Sequence, residues 1–163
     1  MLDGKLLIEL QEYVELHLNT LVFNIRKSES MEESIFSADI EDFIKMNRKP
    51  TFNQTLFHLI DKKGATDSSI YKKAGIDRRH FSKIRSNPEY RPGKNTVIAL
   101  ALALELNKRE SDKLLSSAGY SLSDSETLDL VIQFCLEKKI FDIHSVNQAL
   151  DYFSLKPLVG VLE

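Results

Sequence analysis

Leu7, Leu10, Val14, Leu18, Leu21 and Ile25 stand three and four residues apart, the spacing of one helix face, and predict a helix over residues 5–26. Leu6, Tyr13 and Phe23 add apolar surface outside that stripe, enough for a second partner. Val14, Leu16 and Leu18 also alternate with Glu15, His17 and Asn19 as a strand would. Helix is preferred, because nothing nearby offers a strand to pair with. Residues 27–37 are polar and read as a linker that can open a short helix. A second short helix fits Ile40 to Met46 and ends before Pro50.

From residue 51 onward the start and stop signals are dense. Thr51 and Gln54 have capping-box spacing and open a helix that buries Phe52, Leu56, Leu59 and Ile60 and ends at Gly64. Thr66 caps a helix with Ile70 and Tyr71, and Gly75 closes it through a left-handed turn. Asp77 caps a third, carrying Phe81 and Ile84. A loop with Pro88, Pro92 and Gly93 leads to the most apolar helix, residues 96–106. Asn107 and Glu110 form another box, for a helix through Leu114 and Leu115 closed by Gly119. Ser123 and Glu126 have the same spacing before a helix that presents Leu128, Val131, Ile132 and Cys135 to a core. A last helix lies near His144–Phe153, and Pro157 and Gly160 end the regular structure. The expected fold class is all-α.

Composition supports that reading. With 163 residues the chain can bury a real core, and 42% apolar and 28% charged residues exclude wholesale disorder. Six Gly and four Pro are too few for a turn-rich sandwich, and one Cys excludes an intramolecular disulfide. No run approaches the roughly 18 apolar residues of a membrane span. The first residues carry acids where a secretory leader needs bases, so the expected location is cytoplasmic.

Charge sharpens the picture further. The net charge is only −2, but residues 1–50 hold six Lys and Arg against ten Asp and Glu. Residues 51–120 hold thirteen against seven, and residues 121–163 hold three against seven. Between Lys72 and Lys94 lie eight bases and only two acids, Asp77 and Glu89. A basic island between acidic flanks suits a local polyanion site, or else a solvated face that the acidic flanks balance.

Three short helices, the second and third joined by the turn Ala74-Gly75-Ile76-Asp77, make the skeleton of a helix-turn-helix. Residues 54–106 resemble the XRE-type, Cro/repressor-like (lambda-repressor-like) helix-turn-helix domain. Gly64, the capping Thr66, the anchor Ile70, the turn Gly75-Ile76, the run Phe81-Ser82-Lys83-Ile84 and Pro92 match its pattern. The match runs without a gap from Lys63 through Asn87, and the family's core covers about a third of the chain. The resemblance implies such a core at residues 51–120, with helical extensions at 1–50 and 121–163. It implies a sequence-specific reader of double-stranded DNA, a transcriptional regulator that places helix 78–86 in the major groove. Base contacts then fall on Arg78, Arg79 and Lys83, which suit the guanine O6/N7 pair. Phosphate contacts fall on Arg85, Asn87, Arg91 and Lys94, near the loop and the next helix N-terminus. Readers of this type bind as two-fold dimers, so a homodimer through the N-terminal helix, the C-terminal helices or both is expected.

Two positions depart from the family pattern. Asp67 stands where the family places a phosphate-contacting Gln, and a carboxylate there is repelled by DNA unless it turns inward. Tyr71 stands where Ala is favoured, which implies a wider helix crossing or a ring displaced to the edge.

Little else in the chain carries chemistry. His17, His58, His80 and His144 have no metal-ligand spacing, and only His80 has a functional reading, beside Arg78 and Arg79. Cys135 sits on an apolar face and reads as a buried, inert thiol. Glu32-Glu33 and Glu41-Asp42 read as solvated, and no phosphate-binding, dinucleotide or nucleophile-elbow motif is present. No enzyme, cofactor or metal is expected. The rival reading is a protein-protein interaction module, an adaptor or antitoxin-like component whose acidic arms clasp a basic partner.

Overall fold

The computed structural model describes residues 3–26 and 32–158, and their backbone forms nine α-helices and no strand. They divide into two compact units, the first ending at Arg48 and the second beginning at Lys49.

The first unit holds α1 (Gly4–Arg26) and α2 (Glu32–Asn47), which contact each other. The helical reading of the first segment holds over its whole length. Helix α2 is longer than its apolar residues suggest and begins inside the stretch read as linker. Residues 27–31 of that linker lie outside the described residues, as do the side chains of Leu18, Leu21, Phe23 and Ile25 and the terminal Gly160. The described apolar side chains of both helices, including Leu10, Tyr13, Phe36 and Phe43, are exposed.

The second unit is built around one helix that is apolar from its second turn onward. It comprises α3 (Phe52–Lys63), α4 (Asp67–Ala74), α5 (Arg78–Ser86), α6 (Lys94–Ala103), α7 (Lys108–Ser117), α8 (Thr127–Glu137) and α9 (Ile143–Tyr152). Val97 to Leu104 are buried without a break, so α6 has no solvent face along that run. Neighbours enclose it: α4, α7 and α9 all contact α6, while α3 packs on α7 and α8 on α7 and α9. Fully burying each of its Leu, Ile and Val side chains stabilises the fold by about 1.5–3 kcal/mol. One core joins residues from Phe52 to Leu158, so α8 and α9 belong to the same compact body as α3–α7.

The caps fix where these helices begin and end. Thr51 and Gln54 make a reciprocal capping box, as do Asn107 and Glu110. Thr66 accepts from the Ser69 N–H and Asp77 from the Arg79 N–H, so α4 and α5 start where their caps predict. Gly64 and Gly75 end α3 and α4 at φ 64° and 69°, in the left-handed region. A side chain there is strained, so Gly75→Ala is expected to cost about 1–2 kcal/mol of unfolding free energy, measured by urea titration.

One cap differs from the sequence expectation. Ser123 and Glu126 do not box a helix; α8 starts at Thr127 behind Glu126, with no side-chain cap bond. The Ser123 N–H goes instead to the buried Asp129 carboxylate at 2.7 Å, and residues 123–126 turn around that bond. Helix α9 is capped by Asp142, whose carboxyl is held below its usual range by the N–H and then the hydroxyl of Ser145. Cys135 is fully buried, and desolvation pushes its thiol up. Among the described residues no helix is long and apolar enough to cross a membrane.

Candidate nucleic-acid interface

Helix α5 owes its position to an aromatic underside. Phe81 and Ile84 are buried, with Phe57 of α3 edge-on to Phe81 at 6.0 Å and Tyr71 of α4 tilted against it at 5.5 Å. Tyr71 is therefore a packing group: its ring lies half-buried on Phe81. Asn53 of α3 donates from Nδ2 to the Ile84 carbonyl at 2.7 Å, satisfying a terminal acceptor of α5 and tying its end to α3. Pattern reading gave no hint of this role, because the partners are 31 residues apart.

The expected base-contacting residues lie on the open side. Arg78 and Arg79 occupy the first turn behind the Asp77 cap, are exposed, and have no ion pair among the described residues. Lys83 follows Arg79 by four residues and so shares its face. Its ammonium stands 4.6 Å from the centre of the Tyr90 ring, a cation–π contact. Tyr90, from the loop after α5, also places its hydroxyl 3.2 Å from His80 Nε2. The loop thus holds Lys83 and His80 through one ring. Lys72 and Lys73, in the last turn of α4, are also exposed.

The four expected phosphate contacts are all engaged within the chain. Arg85 pairs with Asp67 at 3.1 Å and lies 4.6 Å over the Phe57 ring. Asp67 has thus turned inward, onto a base of α5. Asn87 caps the C-terminus of α5, and its Oδ1 accepts the Glu89 N–H at 3.1 Å. Arg91 stacks 4.8 Å over Tyr120, whose hydroxyl donates to the Pro92 carbonyl at 3.0 Å. Lys94 reaches the Oδ2 of Asp129 at 2.7 Å, and that carboxylate is fully buried. Asn87 and Lys94 therefore serve the loop and the core, whereas Arg85 and Arg91 keep exposed guanidinium groups beside their aromatic supports.

The arrangement presents fixed cations on one short helix and the loop that follows it. Arg78 and Arg79 offer guanidinium forks to an outside acceptor, Lys83 offers a point charge, and the aromatic rings restrict how the other bases move. Among the described residues no three His, Cys, Asp or Glu side chains gather as a metal site. No protein-family model matches the chain, and no curated protein or solved structure matches it.

Proposed function

We propose that the chain is a sequence-specific double-stranded DNA-binding protein, a transcriptional regulator of the cytoplasm with no catalytic role. In this reading α3–α6 form a Cro/repressor-like helix-turn-helix and α5 is the helix that enters the major groove. The observation that carries it is the pair of exposed arginines, Arg78 and Arg79, with no ion pair among the described residues, in the first turn of a capped helix backed by buried aromatic packing. Arginine at that position suits bidentate contact with guanine O6 and N7, so each half-site contains G. Two such helices in a two-fold homodimer span half-sites about one DNA turn, or 34–36 Å, apart. Selection from a random duplex library, followed by mobility shifts at several salt concentrations, tests the proposal. Enrichment of a two-fold site with G in each half supports it; no binding to any duplex at low salt rejects it.

The engaged bases modify this reading. Asp67 occupies Arg85 and places a carboxylate beside the expected path of a phosphate. Asp67→Asn removes that charge and releases Arg85 while preserving shape. Random-duplex affinity is expected to rise about three- to tenfold, and the salt slope to steepen by about one. Mobility shifts in a salt series read both quantities, and unchanged or weaker binding contradicts the view that Asp67 holds Arg85 back from a phosphate. The second reading, a protein-binding module, is favoured by the same ion pair and by the apolar side chains left exposed outside the basic island.

A further inference from the structure

Helices α8 and α9 bury one face each and leave the other bare. Ile132, Cys135, Val146 and Leu150 point into the core and are essentially inaccessible. On the outer side Leu130 is 46% exposed, Phe134 54%, Phe153 53% and Tyr152 83%. With Thr127 and Ala149 they bound an open, almost entirely apolar groove of about 600 Å³. The core consumes only one of two apolar stripes on α8: Leu130 and Phe134, four residues apart, belong to the other.

We infer that this groove is the contact through which two copies of the chain associate about a two-fold axis. Area supports a protein partner of this size. A fully covered aromatic side chain buries about 150–250 Å², so three partly exposed rings and Leu130 leave about 350–550 Å² of largely apolar surface per copy. A stable interface takes about 800 Å² from each partner, of which about 65% is apolar in its core or in homodimers. The patch supplies most of that apolar share.

Shape and charge point to a second copy as the partner. An isologous contact needs one surface that both projects and receives. Tyr152 projects beside the groove and stands edge-on to Phe153 at 5.1 Å. The groove lies within the roughly 300–1,000 Å³ that pockets for bound groups occupy, room for the other copy's rings. Beside the groove Lys138 lies 6.0 Å from the Phe134 ring centre, and the exposed Asp151 precedes Tyr152 in sequence. None of these residues belongs to the basic face, so the inference stands whether or not the chain binds duplex.

The test is the mass of the full-length protein at micromolar concentration, by light scattering and sedimentation equilibrium. Phe134→Glu, Tyr152→Glu and, as a control on the first unit, Leu10→Glu are compared with the parent. The expected result is a parent and a Leu10→Glu variant that are dimers. Each groove variant should associate about 30-fold more weakly or worse, with helical circular dichroism and melting temperature retained. Tyr152 is the more exposed residue, so Tyr152→Glu decides the matter if Phe134→Glu fails to fold. A parent that stays monomeric overturns the inference, and so does a dimer that survives Tyr152→Glu. Dissociation by Leu10→Glu alone assigns assembly to the first unit and overturns it as well. A monomer whose groove is protected from hydrogen exchange by its own first unit, or by an added partner, has the same consequence.

Discussion

Lys94→Met is expected to lower the free energy of unfolding by about 3 kcal/mol. The lysine Nζ lies 2.7 Å from Asp129 Oδ2, and that same oxygen accepts the Ser123 N–H. Asp129 is fully buried, and its other oxygen, Oδ1, has no hydrogen-bond partner among the described residues. Removing the ammonium leaves a buried carboxylate with one backbone N–H for support. Breaking a buried pair costs about 3–5 kcal/mol, and the 28% exposure of the Lys94 side chain places the loss at the lower end. For a unit of this size about 3 kcal/mol corresponds to a fall in melting temperature of about 10–20 °C. Asp129→Asn in the same background removes the stranded charge and is expected to restore part of the loss. Calorimetry on both variants reads the effect directly. A Lys94 whose main work is holding a phosphate gives the opposite pattern: an unchanged melting temperature, with a salt slope smaller by about one.

Arg79→Ala is expected to weaken binding to the preferred duplex by about 1–3 kcal/mol, roughly 5- to 150-fold, and to affect random duplex far less. The asymmetry follows from the site's construction. Asp77 caps α5, so the side chains that follow leave its first turn, and Lys83 extends the same face by one more turn. Arg79 has no ion pair among the described residues, so its truncation breaks none of those described, and helix content is expected to stay constant. Arg85 offers no such clean comparison, because Arg85→Ala also releases Asp67 and uncovers Phe57. Equal losses on preferred and random duplex remove Arg79 from the base-contacting group.

Local chemistry explains how much of this fold was readable from the chain. Thr51, Thr66, Asp77 and Asn107 bond to groups two or three residues away, and Gly64 and Gly75 adopt a conformation that other residues resist. Such signals act within one turn, so a sequence pattern contains them in full. The misplaced start of α8 has the opposite origin. Ser123 and Glu126 have the spacing of a box, but Asp129, six residues past Ser123, takes the N–H that the box needs.

The candidate site divides along the same line. Helix periodicity alone brings Arg78, Arg79 and Lys83 onto the exposed part of α5, because Phe81 and Ile84 are the residues buried. The partners of the remaining bases come from distant segments: Asp67 for Arg85, Tyr120 for Arg91 and Asp129 for Lys94. No spacing rule encodes which base a folded chain brings to which acid or ring. The early onset of α2 at Glu32 was hidden for another reason. Its first turn is polar, and amphipathic patterning does not register a turn without apolar residues.

Cys135 gives the molecule a built-in clock. It is the chain's single cysteine, it has no solvent access, and burial disfavours its reactive thiolate. An alkylating reagent in solution can meet that sulfur only during excursions that lift α8 away from the core. The pace of labelling in the unaltered protein therefore counts those excursions, site-specifically and with no introduced probe.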